Sequence, residues 1–181
     1  MFKVGVFMKY RELYEEYSLL LSKRVACLDE LLTLKNGYIS IKAISGIKYH
    51  YLQKKSDNKI ISEYIKKDTL PLVKLQLQRR SELETQISHI DEQLNRLETA
   101  VLVLDKGVYH KLTILRRCSI MDSMPIEARK ISLEFGNAMT ALVGIPASEE
   151  TEKSLMLWTS GQASFKDGYM QALSKHNLIV A

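Results

Sequence analysis

Apolar side chains recur along two long stretches of the chain with alternating gaps of four and three residues. In the first, Tyr10, Tyr14, Tyr17, Leu21, Arg24, Leu28 and Leu31 follow this rule, and only Arg24 interrupts the apolar series. In the second, Leu83, Ile87, Ile90, Leu94, Leu97, Val101 and Leu104 follow it without exception. A mean period of 3.5 lays one seam along a helix, which is the pattern of a coiled coil. Neither stretch contains glycine, and Pro71 falls in the first turn of the second helix, where its missing N–H is not needed. Helices over residues 9–34 and 70–104 are expected, about 40 and 50 Å long.

The segment between them changes period. After Asn36–Gly37, a helix stop, β-branched and aromatic residues alternate with polar ones through "YISIKAISGIKYHYLQ". Ser45–Gly46 reads as a two-residue hairpin turn, residues 54–58 as a polar turn, and Lys59 to Tyr64 as a third short strand. If Ile44 faces Ile47, one face carries Tyr38, Ser40, Lys42, Ile44, Ile47, Tyr49, Tyr51 and Gln53. The opposite face carries Ile39, Ile41, Ala43, Lys48, His50 and Leu52, and its Ile39, Ile41 and Leu52 are expected to pack on the helices. A lone meander is marginal in water, so one face must be covered.

Asp105–Lys106–Gly107 breaks the long helix, and four shorter helices are expected beyond it. The first runs from Val108 to Met121. The second opens at Ser123–Met124–Pro125, carries Ala128, Ile131, Phe135, Ala138, Met139 and Leu142, and closes at Gly144. Ser148 caps the third, whose apolar positions are Thr151, Leu155 and Trp158. Ser164 and Asp167 form a capping-box-like start for the fourth, Phe165 to Lys175. The expected fold is therefore mostly α. It consists of an antiparallel coiled-coil helical hairpin with a three-stranded antiparallel β-meander at its tip, followed by a small helical module. The boundaries are a loose extension over 1–8, the hairpin over 9–104 with the meander at 38–64, and the module over 105–181.

Composition adds limits. Of 181 residues, 46% are hydrophobic and 26% charged, ordinary for a folded chain. No apolar run reaches the roughly 18–20 residues that cross a bilayer, and the N-terminal apolar stretch is too short for a secretory signal. Cys27 and Cys118 lie far apart and outside any ligand-spaced motif, which fits free thiols in a reducing cytoplasm. His50, His89, His110 and His176 lack metal-ligand spacing, and there is no glycine-rich phosphate loop or nucleophile elbow. No catalytic residue, metal or cofactor is expected, and no membrane association.

The charge is unevenly placed. Residues 38–80 hold ten lysines and arginines against Asp57, Glu63 and Asp68, a net of +7, which leaves −2 for the remainder of a chain whose total is +5. Tyr38, Lys42, Lys48, Tyr49, Tyr51, Lys54, Lys55 and Lys59 form the candidate basic face. Cations there would neutralise phosphates and tyrosines would stack on bases. The same residues also suit a solvated edge, where lysine blocks strand-to-strand aggregation and cross-strand tyrosines hold a hairpin, or a contact with an acidic protein.

The C-terminal tract "EFGNAMTALVGIPASEETEKSLMLWTSGQASFKDGYMQAL" points elsewhere. A helix ending at Gly144, a polar link with Pro146 and Ser148, a helix to Trp158, then Gly161 and a short last helix resemble the antitoxin domain of the VbhA type. That family comprises small helical partners of Fic adenylyltransferases, and the resemblance covers residues from about 133 to 178. The whole chain also resembles uncharacterised bacterial and phage coiled-coil proteins in which a small β-meander precedes such a module. The family's inhibitory helix carries Ser or Thr, three residues, Glu, then Gly or Asn, and the glutamate pairs with an arginine of the Fic site. Here Gly144 fits the last position, while Val143 stands at the glutamate and Met139 at the Ser/Thr. Valine cannot accept a charge-assisted hydrogen bond, so the resemblance implies docking without the glutamate switch.

The expected function is a non-enzymatic, cytoplasmic, protein-binding regulatory module. It would be an antitoxin-like inhibitor of a Fic-type or diverged enzyme, docking through Phe135, Asn137, Met139, Leu142, Val143 and Gly144. The alternatives are a nucleic-acid-binding adaptor using the basic meander, or a phage-encoded inhibitor of a bacterial nuclease or defence protein. The coiled coil could serve homodimerisation.

Overall fold

The computed structural model describes residues 10–56, 59–143 and 148–175, with backbone alone over 140–143 and 172–175. Within these, the chain forms α1 (Arg11–Thr33), β1 (Tyr38–Ile44), β2 (Ile47–Ser56), β3 (Lys59–Ile65), α2 (Leu70–Leu104), α3 (Lys106–Asp122), α4 (Ile126–Val143), α5 (Glu149–Thr159) and α6 (Phe165–Lys175). The fold is mostly helical, with a three-stranded antiparallel sheet in the order β1-β2-β3. It divides into two compact units, one of Ala26–Gln93 and one of Met1–Val25 with Leu94–Ala181.

In the unit of Ala26–Gln93, the register is the expected one: Ile44 faces Ile47, Lys42 faces Tyr49 and Ile39 faces Leu52. Ser45 and Gly46 both have positive φ, at 51° and 80°, as the commonest two-residue hairpin turn requires. The second pairing is longer than the polar character of residues 54–58 suggests. Lys54 faces Ile61, Lys55 faces Ile60 and Ser56 faces Lys59, because the two isoleucines continue the strand alternation. Gly37, at φ 127°, precedes β1 and lies so close to β2 that a Cβ there would stand 2.2 Å from the Gln53 carbonyl oxygen.

The inner sheet face is covered where α2 begins. Leu52, Ile65 and Val73 are buried together, flanked by Ile39, Leu70 and Leu77. Ile41, expected in this group, is instead exposed. The covered side chains run diagonally across the strands from Ile39 through Leu52 to Ile65, and Ile41 lies off that diagonal, two residue pairs nearer the β1–β2 turn than Ile39. Further along, the Arg79 guanidinium grips Glu30 through Nε at 2.6 Å and Nη2 at 2.8 Å, and Arg80 donates to the Leu31 carbonyl at 3.2 Å. This pair holds the Glu30 carboxyl below the usual carboxylate range.

In the other unit, buried Tyr17, Leu20, Leu21, Leu94 and Val101 show which side of each long helix is apolar. Along α2, which begins in the first unit and ends in this one, the expected seam positions are buried or half-buried from Leu83 to Val101. It fails at Leu104, which is largely exposed, because the helix ends there and Asp105 starts the next one. The Asp105 carboxylate accepts from Gly107 N at 2.9 Å and Val108 N at 3.1 Å, capping α3. Tyr17 Oη donates to Glu98, whose carboxylate also accepts from Arg116 at 3.2 Å. Beyond them α3 packs on α6, α5 on α6 and α4 on α5 around Trp158, which is almost fully buried.

Two outcomes follow. Gly37→Ala should lower stability in urea unfolding well beyond Gly46→Ala. The latter meets no atom and carries only the backbone penalty of about 1–2 kcal/mol, while the former also drives a methyl into β2. The second outcome concerns pH. Burial first, then the bond to Glu98, push the Tyr17 hydroxyl well above the usual tyrosine value of 10.0. The unfolded chain therefore loses this proton first, so the contribution is complete below pH 10 and is lost as pH rises above it, at up to about 1.4 kcal/mol per pH unit. Urea midpoints should fall more steeply above pH 10 for the native chain than for Tyr17→Phe.

Candidate interaction surfaces

The helical module is tied together by two side chains that no sequence pattern marks. Arg129 on α4 donates from Nε to the Met124 carbonyl at 2.9 Å, from Nη1 to the Trp158 carbonyl at 2.9 Å and from Nη2 to the Asp122 carbonyl at 2.5 Å. Its guanidinium also lies over the Trp158 ring, 5.6 Å from the centroid. A cation is thus set against carbonyls at the C-terminal ends of α3 and α5, where the helix dipoles favour it. Asp122, the last residue of α3, turns its carboxylate across the chain to the start of α6. There it accepts from Phe165 N at 2.5 Å and Lys166 N at 3.4 Å, beside the Ser164 hydroxyl that caps Asp167 N at 3.0 Å. Trp158, Phe165 and Tyr169 continue as an aromatic row, with centroids 5.2 and 6.2 Å apart.

This frame holds one face of α4 inward and leaves another outward. Ile131 is 67% exposed, Phe135 68% and Met139 46%. At i, i+4 and i+8 they lie one above the other on a single helical face. Of the expected docking residues, Phe135 and Met139 are on this stripe and Asn137 is exposed beside it. The backbones of Leu142 and Val143 complete α4, but their side chains and Gly144 lie outside the described residues. Ile131 was not among the expected docking residues, although its spacing to Phe135 was the available signal.

The second surface is the outer face of the sheet. The register places Tyr38, Lys42, Tyr49, Tyr51 and Lys55 there, and puts Lys48, Lys54 and Lys59 on the opposite face. The candidate basic residues therefore do not form one face. Tyr64 joins the first group directly opposite Tyr51, a residue missed because β3 had no register until its pairing with β2 was known. The Tyr51 and Tyr64 rings meet edge to face at 5.7 Å, Tyr49 and Tyr64 are tilted at 6.2 Å, and Lys42 Nζ lies 5.0 Å from the Tyr51 centroid. Gln53 donates to Ser62 at 3.0 Å on the same face.

Among the described residues no group of three or more His, Cys, Asp or Glu side chains is placed to hold a metal ion, and no helix is long and apolar enough to cross a membrane. No protein-family model matches the chain, and neither a curated protein nor a solved structure is detectably similar to it. The two surfaces are an apolar helical stripe in one unit and an aromatic sheet face bearing Lys42 and Lys55 in the other.

The Arg129 fork makes a stability test of the frame that carries the stripe. Arg129→Ala should cost about 2–3 kcal/mol in urea unfolding, since three carbonyls lose a charged donor. Arg129→Lys should recover only part of that loss, because an ammonium cannot span three acceptors in a planar fork.

Proposed function

We propose that this protein is a non-enzymatic, cytoplasmic regulator that binds a partner enzyme through α4, in the manner of an antitoxin. In this reading, α1 and α2 form an antiparallel coiled-coil hairpin that carries the small sheet, and the C-terminal helices form the docking module. The observation that carries the reading is the stripe of Ile131, Phe135 and Met139. Three large apolar side chains stand in water on one face of a helix whose other side is anchored by Arg129. An amphipathic helix with i, i+4, i+8 anchors is the form in which helices enter an apolar groove on a partner.

The resemblance to VbhA-type antitoxins supplies the class of partner, a Fic-type adenylyltransferase or an enzyme diverged from one. Val143 at the position of the inhibitory glutamate separates the mechanism from the family's. With no carboxylate to engage an arginine, inhibition here would work by occupying the partner's surface. The free cysteines Cys27 and Cys118 agree with a reducing compartment.

The test is binding and activity measured together. A Fic-type enzyme encoded beside this chain should form a stoichiometric complex with it and lose adenylylation activity. Phe135→Glu and Ile131→Glu should each weaken the complex about 30-fold or more, the effect of removing a hot-spot anchor, without moving the thermal midpoint. Undiminished adenylylation at saturating protein sinks the inhibitory reading. A complex indifferent to both substitutions sinks the role of the stripe.

A further inference from the structure

We infer that the outer face of the sheet is a binding platform for single-stranded nucleic acid, a function separate from whatever the C-terminal helices bind. The register places four tyrosines, Tyr38, Tyr49, Tyr51 and Tyr64, on one face across all three strands. Tyr38 is 55% exposed and Tyr64 52%, while Tyr49 and Tyr51 are half-buried beneath the Lys42 and Tyr64 contacts. Tyr49 and Tyr51 thus hold the Tyr64 ring in place, and Tyr38 and Tyr64 keep surface open for a base to stack on.

The charge of this face is one-sided. Lys42 and Lys55 share it with the tyrosines, and no aspartate or glutamate points from β1, β2 or β3 to that side, since Glu63 lies on the inner face. Glu63 is engaged there by Lys35 at 3.6 Å. Lys48, Lys54 and Lys59 stand at the two ends of the sheet on its other face, where long stems let their ammonium groups reach around the rim. Phosphates on a strand crossing the face would therefore meet Lys42 toward the β1–β2 turn and Lys55 toward the β2–β3 turn.

The choice of a single strand over a duplex rests on the side chains themselves. In a duplex the base faces are already stacked on each other, and a protein reads base edges, chiefly with arginine, asparagine and glutamine. This face carries no arginine, and its one amide, Gln53, is bonded to Ser62. Exposed rings on a flat sheet meet unstacked bases instead, with little dependence on sequence. An acidic protein would satisfy the lysines but would leave Tyr38 and Tyr64 without a role.

The experiment is fluorescence anisotropy on the full chain. The probes are a labelled 20-nucleotide single strand, the matching duplex, and an acidic peptide of the same charge. The single strand should bind at least tenfold tighter than either competitor, and binding should weaken as salt rises from 50 to 200 mM. Tyr38→Ala and Tyr64→Ala should each reduce affinity at least fivefold, and Tyr38→Phe and Tyr64→Phe should leave it within twofold, because stacking needs the ring and not the hydroxyl. Lys42→Glu with Lys55→Glu, which changes no ring beyond the Lys42–Tyr51 contact, should also weaken binding and flatten its salt dependence. Preference for the duplex or the acidic peptide overturns the proposal. So does single-strand binding unchanged in the alanine variants, or no single-strand binding at 50 mM salt.

Discussion

One-sided burial is the constraint on which this molecule depends. A helix with a 3.5-residue apolar period has one narrow seam to bury, and a three-stranded sheet without a second layer has one face. The buried side chains obey this limit: Leu83, Ile90, Leu94 and Val101 lie along a single line of α2, and Leu52 and Ile65 lie on the inner side of the sheet. Each covered seam leaves an opposite side uncovered. Where that side is charged, as over most of α2, it is simply solvated. Where it is apolar or aromatic, as on α4 and the outer sheet face, it is the kind of surface on which the proposed binding rests.

Because the seams are thin, polar side chains supply part of their specificity. Tyr17 and Arg116 converge on Glu98, with Arg116 also donating to Asn95, and the Arg79–Glu30 fork sits where the seam of α2 gives way to the sheet. Arg129 does the same among the short helices by collecting carbonyls from two helix ends and the turn after Asp122. Hydrogen bonds of this kind require particular partners at particular distances, whereas apolar contacts tolerate sliding by a turn. Fixing the helix ends in this way also fixes which side of α4 faces outward.

The periodic features were legible from the residues, and the features made by convergence were not. The change from 3.5 to 2.0 in apolar period marks where helix gives way to sheet, and Ser45–Gly46 sets the register of β1 on β2 through a turn that needs two positive φ angles. Asp105 was read only as part of a helix break, whereas Ser148 was readable as a cap because a cap acts on its own neighbours. Asp122 was not, since it caps a helix more than forty residues away. Arg129 was hidden for the same reason: an arginine three residues into a helix is ordinary until the carbonyls around it are known. The misplacement of Ile41 and Leu104 has another cause. Both fit the local period, but Ile41 lies off the covered diagonal of Ile39, Leu52 and Ile65, and the long helix ends at Leu104. On the sheet face, alternation alone separates the lysines into two sets, while Tyr64 becomes visible only with the β2–β3 pairing.

The stripe on α4 sets a requirement for any partner. Burying the exposed share of Ile131, Phe135 and Met139, 67%, 68% and 46% of each, yields about 3–5 kcal/mol at about 1.5–3 kcal/mol per fully exposed side chain. Association consumes about 4–15 kcal/mol in lost translational and rotational freedom. Three anchors alone therefore offset only the low end of that cost, and a stable complex must engage more of the surface, about 800 Å² on each partner. The flanks of the stripe are polar, with Glu134 and Asn137 exposed beside Phe135, so the additional contacts on those turns are hydrogen bonds at the rim of an apolar groove. In the antitoxin family, a glutamate reaching into the enzyme's site adds a charge-assisted bond to this kind of docking. In the proposed reading valine stands in its place, that contribution is absent, and the same affinity has to come from area. The partner proposed for this chain should accordingly present a longer or deeper apolar groove than the resemblance alone would suggest.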